Sequence, residues 1–119
     1  MSTIDLTAGT FEQTVLDNDI VFVDFWASWC GPCRSFAPIY EAAAEQHGDL
    51  VFASVNTEEE QQLAAAARVT SIPTLMAFKK GTLVFSQAGA LPGPALEQVI
   101  TAVRDFDVEA AAEASAGDA

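Results

Sequence analysis

Cys30 and Cys33, three positions apart, are the residues whose type and spacing could do chemistry here, and they close the stretch Phe22 to Cys33, FVDFWASWCGPC. A thiolate is the nucleophile in disulfide exchange. Its pKa falls at a helix N-terminus or inside a C-x-x-C pair, where amide dipoles stabilise the anion. The apolar run before the pair reads as a β-strand and the residues after it as a helix, so Cys30 has both advantages. Cys33, one helical turn further on, can attack a mixed disulfide on Cys30 and release the partner reduced. Such a pair moves two electrons without a cofactor.

Other uses of two cysteines fit less well. As a structural staple, a four-residue loop constrains the unfolded chain by only about 1.9 kcal/mol, against about 4.7 for a 100-residue loop. Structural zinc normally takes four Cys or His ligands, and besides the two cysteines this chain has one histidine, His47. Covalent haem would need a histidine directly after Cys33, where Arg34 stands.

The segments VDFWASWCGPC, SIPT (Ser71 to Thr74) and QAGA (Gln87 to Ala90) closely resemble the thioredoxins, the small cytosolic WCGPC type, over residues 1 to about 106. The resemblance implies a thiol–disulfide oxidoreductase of the protein-disulfide reductase kind, acting on protein substrates by dithiol exchange through Cys30 and Cys33. It implies a role in electron transport and cell redox homeostasis. No cofactor is expected beyond the redox-active Cys30–Cys33 disulfide. A flavin-containing, NADPH-dependent thioredoxin reductase would restore the dithiol. It also implies a cis Pro73 facing the cysteines across a substrate groove framed by Trp26, Trp29, Gly31, Pro32, Ile72 and Gly89; for the two tryptophans, plain packing is a rival reading. Gly31-Pro32 between the cysteines is typical of reducing members, whereas oxidants and isomerases usually have a histidine there. A different class stays open: a thioredoxin-fold binding or chaperone module in which the cysteines are incidental.

Asp24 is the anomaly in an otherwise apolar strand. It is either a charge near a strand end with its own hydrogen bonds, or a buried acid beneath the dithiol that takes the proton from Cys33; burial with few partners raises a carboxyl pKa. Thioredoxins carry an aspartate at the matching position, and the resemblance implies the proton-transfer role. Ser54 departs from the family, where many members have a lysine near that aspartate. Without that cation, the Asp24 pKa is expected to be higher than in lysine-bearing relatives. Arg34 either helps hold the thiolate or is a solvated surface residue.

With 119 residues, the chain is one domain, able to bury roughly 65% of its unfolded surface and to fold without staples. Seventeen acids against five bases give a formal charge of −12. That argues against nucleic acid or an anionic membrane as partner and favours steering towards basic surfaces. Met1 to Asp5 carries no basic segment followed by an apolar run, and no stretch approaches the roughly 20 apolar residues of a membrane span. A soluble, cytoplasmic monomer is expected, and thiols spaced for exchange fit a reducing compartment.

Several elements must hold the dithiol. Thr3 to Leu6 reads as an edge strand. A helix capped by Thr7 or Thr10 runs to about Leu16, with Phe11, Val15 and Leu16 inward. Ile20 to Trp26 is a central parallel strand covered on both faces. In the helix after the motif, Cys33, Phe36, Ala37, Tyr40, Ala44 and His47 share a face, with Glu41 and Glu45 outside. Pro38 removes the amide that would bond the Arg34 carbonyl and should kink this helix, as thioredoxins do. His47 precedes Gly48, which can take a left-handed cap. Leu50 to Asn56 is the next strand. Thr57 with Glu60 forms a capping box, and Glu58, Glu59 and Glu60 suit the start of a helix to about Arg68 better than a metal site.

Ile72-Pro73-Thr74 leads into a strand to Lys79. Lys80-Gly81 turns the chain into an antiparallel partner, Thr82 to Ala88. Gly89 either lets a substrate backbone approach or is a plain turn glycine. Pro94 opens a last helix with Leu96, Val99, Ile100 and Val103 inward. The order gives an α/β thioredoxin fold: a mixed central sheet of about five strands flanked by about four helices, domain 1–106. From Asp107 the chain is an acidic, alanine-rich tail, 107–119, expected to fray or to prolong the last helix.

Overall fold

A strand buried at every residue from Ile20 to Phe25 must be covered on both faces, and the computed structural model, which describes residues 3–111, has that architecture. In chain order the elements are β1 (Thr3–Asp5), α1 (Phe11–Asp17), β2 (Ile20–Trp26), α2 (Gly31–Gln46), β3 (Val51–Asn56), α3 (Gln61–Ala66), β4 (Thr74–Lys79), β5 (Thr82–Ala88) and α4 (Gly93–Asp105). They form one five-stranded sheet in the order β1-β3-β2-β4-β5. β1, β3 and β2 run parallel, while β4 and β5 are antiparallel additions.

Alternation along β2 sorts the core into two halves. Ile20 and Phe22 pack with Phe36, Tyr40, Phe52, Leu96 and Ile100 beneath α2 and α4. Val21, Val23 and Phe25 pack with Val15, Ala53, Val55 and Met76 on the α1 and α3 side. The Phe22 and Phe52 rings stack at 5.1 Å in the first half. Asp24, in step with Ile20 and Phe22, belongs to the α2/α4 face. It therefore lies under the helix that opens with the cysteines.

Six local expectations are corrected. Leu16 is 61% exposed, set against the hairpin turn at Gly81 rather than in the core. Neither Thr7 nor Thr10 caps α1 through its hydroxyl; the Thr10 Oγ1 accepts from the Thr7 amide at 3.0 Å. Ala37 is exposed and Ala43 takes its place in the buried face of α2. Gly48 is not left-handed, a conformation held among the described glycines by Gly81 and Gly89. Thr57 forms no capping box, because its hydroxyl and amide both donate to the Trp26 carbonyl. α3 begins only at Gln61 and is closed by Arg68 in the left-handed region.

Lys80 and Gly81, with φ of 53° and 78°, form the two-residue hairpin turn. α4 stops at Asp105. Asp107 then starts a new helical turn at 108–111, its Oδ1 accepting the Ala110 amide at 2.9 Å. Glu109 in that turn pairs with Lys80 at 2.7 Å. The expected tail is thus described as far as Ala111, and its remainder, 112–119, lies outside the described residues.

Candidate active site

The carboxyl end of β2 delivers the chain into a turn, Ala27 to Cys30, closed by the Cys30 amide donating to the Ala27 carbonyl at 3.2 Å. Cys30 is the N-cap of α2, its backbone extended at φ −86° and ψ 113°, so its side chain points back over the first turn of the helix. The Cys33 amide donates to Cys30 Sγ at 3.2 Å. This amide would otherwise be one of the unpaired donors of the helix start, and it is the group that favours a thiolate there. Cys30 and Cys33 are joined as a disulfide with their Cα atoms 5.3 Å apart.

Each cysteine faces a different space. Cys30 borders an open groove of about 450 Å³ lined by Trp29, Gly31, Pro32 and Ile72 but not by Trp26 or Gly89. Thr57, Ala64, Val69, Thr70 and Ser71 complete the far wall. Cys30 Sγ lies 3.8 Å from the Ile72 carbonyl oxygen, at the Ile72-Pro73 bond, which is cis. Cys33 instead borders a smaller cavity of about 210 Å³ beneath α2, shared with Asp24, Trp26, Arg34, Tyr40, Glu41 and Ser54.

Asp24 is 4% exposed, and its Oδ1 has no hydrogen-bond partner among the described residues. Burial pushes its carboxyl up from the ordinary value of 3.8 to about 7. Ser54 sits beside Asp24 in register on β3. Its hydroxyl donates to Asp5 Oδ1 at 2.9 Å. Tyr40 donates to the Ala53 carbonyl at 2.7 Å. Burial, and then the neighbouring Asp24 charge, raise its phenol well above the usual range.

The other expected site residues are distributed as follows. Trp29 is 68% exposed at the groove rim, whereas Trp26 is half-buried against Ala27 and the two cysteines. Arg34 is exposed on α2 and reaches the edge of the Asp24 cavity. Pro73 is fully buried and does not line the groove, although its carbonyl accepts the Gly89 amide at 2.7 Å. A side chain at Gly89 would meet nothing within 4 Å; its φ of 104°, not close approach, is what calls for glycine. Pro38 borders a separate cavity facing α4, away from the cysteines.

Sequence reasoning missed the loop 57–60. Glu58 Oε1 accepts both the Ser28 amide at 2.9 Å and the Ser28 hydroxyl at 2.7 Å. Glu59 accepts from Asn56, and Glu60 accepts from the Ala8 amide. Of the three acids read as a helix-start signal, Glu58 and Glu60 are ties to other loops, and Glu59 bonds back to the end of β3. The one legible hint was three acids in a row where a single capping residue would suffice.

A family model described as Thioredoxin matches residues 2–102. A Streptomyces coelicolor protein provisionally named thioredoxin 2 is 52% identical over 108 residues, covering 91% of this chain and 81% of the relative. Thioredoxin 1 of a Nostoc species is 47% identical over 97 residues, covering 80% of this chain and 91% of the relative. Among solved structures, a mutant thioredoxin from Halobacterium salinarum superposes with a TM-score of 0.81 at 33% identity, covering 88% of this chain and 93% of that one.

Proposed function

The chain belongs to the thioredoxin family and is a thiol–disulfide oxidoreductase, a disulfide reductase; from that premise we propose how its residues share the work. Reduced Cys30 attacks one sulfur of a disulfide in a protein substrate, forming a Cys30–substrate mixed disulfide and expelling the other substrate sulfur as a thiolate, which takes a proton from water. Cys33 passes its proton to the Asp24 carboxylate and attacks Cys30 Sγ. The Cys30–Cys33 disulfide closes, the second substrate sulfur leaves, and one electron pair has moved from the dithiol to the substrate. Trp29, Gly31, Pro32 and Ile72 hold the substrate chain, and Pro73 and Gly89 shape the strand end behind them.

The observation that supports this most directly is the division of the two sulfurs: Cys30 borders the open groove, and Cys33 borders the cavity that holds Asp24. With a carboxyl pKa near 7, Asp24 can both take and return a proton at neutral pH. The redox-active disulfide is the only redox group this chemistry requires. An NADPH-dependent thioredoxin reductase would return the dithiol, and the chain would work as a cytoplasmic electron carrier in redox homeostasis. No helix among the described residues is long and apolar enough to cross a membrane.

Dithiothreitol-driven insulin reduction tests the assignment. Wild type should accelerate it, Cys30→Ser should fall to the rate of dithiothreitol alone, and Cys33→Ser should accumulate a mixed disulfide trapped on Cys30. Equal rates for wild type and Cys30→Ser would overturn it.

A further inference from the structure

Trp29 stands at the rim of the groove, and the turn that carries it rests on the loop after β3. Two consecutive residues of that loop hold the end of β2 and the turn that follows it. Thr57 donates to the Trp26 carbonyl from its amide at 2.8 Å and from its hydroxyl at 3.0 Å. Glu58 accepts from Ser28 twice, amide and hydroxyl, at a single oxygen. The acid is itself aimed: Asn56 Oδ1 accepts the Glu58 amide at 2.9 Å, which fixes the turn from which the side chain projects. The Ser28 hydrogen bonds hold the Glu58 carboxyl below its usual range, so it is ionised at neutral pH.

We propose that Glu58 is a positioning residue for the reductive reaction: by holding Ser28 at two points it fixes the turn that presents Trp29, and thereby favours protein disulfides over small ones. The proposal rests on the reductase assignment above. A protein substrate must lie along the rim to bring its disulfide to Cys30, so a loose rim weakens its docking. A small disulfide needs only the sulfur, which α2 holds without help from Glu58. The effect therefore separates by substrate size. Losing the two exposed hydrogen bonds to Ser28 together is expected to change an equilibrium constant by about fivefold.

The experiment compares wild type with Glu58→Ala, Glu58→Gln, Ser28→Ala and Ser28→Thr, measuring KM and kcat for insulin and the rate with hydroxyethyl disulfide. Glu58→Ala should raise the insulin KM about fivefold with kcat and the small-disulfide rate nearly unchanged. Ser28→Ala, which loses one of the two bonds, should move KM in the same direction by less. Glu58→Gln keeps an acceptor without charge and Ser28→Thr keeps the hydroxyl, so both should stay near wild type. An insulin KM unmoved in Glu58→Ala, an equal slowing of both substrates, or Glu58→Gln behaving like Glu58→Ala would each overturn the proposal. Failure of wild type to exceed Cys30→Ser would instead overturn the reductase assignment on which it stands.

Discussion

The α2/α4 face of the sheet carries one buried ionisable side chain at each end, and the two are handled in opposite ways. Asp24, near the cysteine end of β2, has an oxygen with no partner among the described residues. Lys79 ends β4, paired with Ile20 at the far end of β2. Its ammonium donates to the carbonyls of Val103, Arg104 and Phe106 at 2.9, 2.7 and 2.7 Å. They lie at the C-terminal end of α4, where a cation is favoured; the Val103 carbonyl also accepts the Phe106 amide, at 3.3 Å. Four residues of β2 separate the two positions, roughly 13 Å along a strand. At the far end, then, a buried charge is matched to the groups that need it. At the near end a charge is left unmatched where a proton must move. The difference is one of use: a fully bonded carboxylate would hold its charge too firmly to exchange protons at neutral pH.

The largest effect should come from removing the unmatched acid. The folded pKa of about 7 lies above the ordinary 3.8, so the folded state binds the proton more tightly than the unfolded chain. Below pH 3.8 the carboxyl is neutral in both states and costs nothing. Stability then falls as pH rises towards 7, by about 4 kcal/mol at 1.36 kcal/mol per unit. Asp24→Asn should therefore unfold at higher denaturant than wild type at pH 8 and at the same denaturant at pH 3.5. The same variant should slow the resolving step by on the order of 10²-fold near neutrality. A stability gain that does not depend on pH would break the comparison, because it would mean the ionised form is matched after all.

Lys79→Met keeps most of the aliphatic stem and removes the ammonium. The carbonyls of Val103, Arg104 and Phe106 lose their common donor, and with hydrogen bonds to charged groups worth roughly 1.5–3 kcal/mol each and partial rehydration, a net loss of about 3 kcal/mol is expected. Urea unfolding should show it, while insulin reduction at 25 °C stays within about twofold of wild type. Loss of activity in the folded variant would deny the separation of the two ends.

How much of this was legible depended on how local the signal was. β2, the cysteine turn, β4 and the Lys80-Gly81 hairpin are written in short-range patterns: an unbroken apolar run, a spacing of three, a pair of residues tolerant of positive φ. The Asp24 exception was visible because it breaks such a run. Lys79 was not visible as a buried group, since its burial comes from the end of α4 lying over it, twenty-four residues further along. Glu58 and Glu60 misled for the same reason. Acids are good first-turn residues, and only the assembled sheet brings Ser28 and Ala8 beside them. Leu16 kept its helical spacing yet fell outside the core because α1 is seven residues long and covers little of the sheet.

The smallest expected effect is also the sharpest probe of the near end, because it gives Asp24 what Lys79 already has. Residues in register on adjacent strands project from the same face, so a lysine at Ser54 would rise beside Asp24 on β2 and beside Asp5 on β1. An ammonium within reach of a carboxylate favours its ionised form, typically by about 1–3 units. With Asp5 competing for the same cation, Ser54→Lys should lower the Asp24 midpoint by about one unit, read by NMR titration of the carboxyl. The pH dependence of the resolving step should move down with it, since the same carboxyl accepts the Cys33 proton. An unmoved midpoint would mean that the cation had gone to Asp5, and adding Asp5→Asn should then release it. If the midpoint stays near 7 even in that double variant, nearby charge does not govern this carboxyl, and burial alone sets its proton affinity.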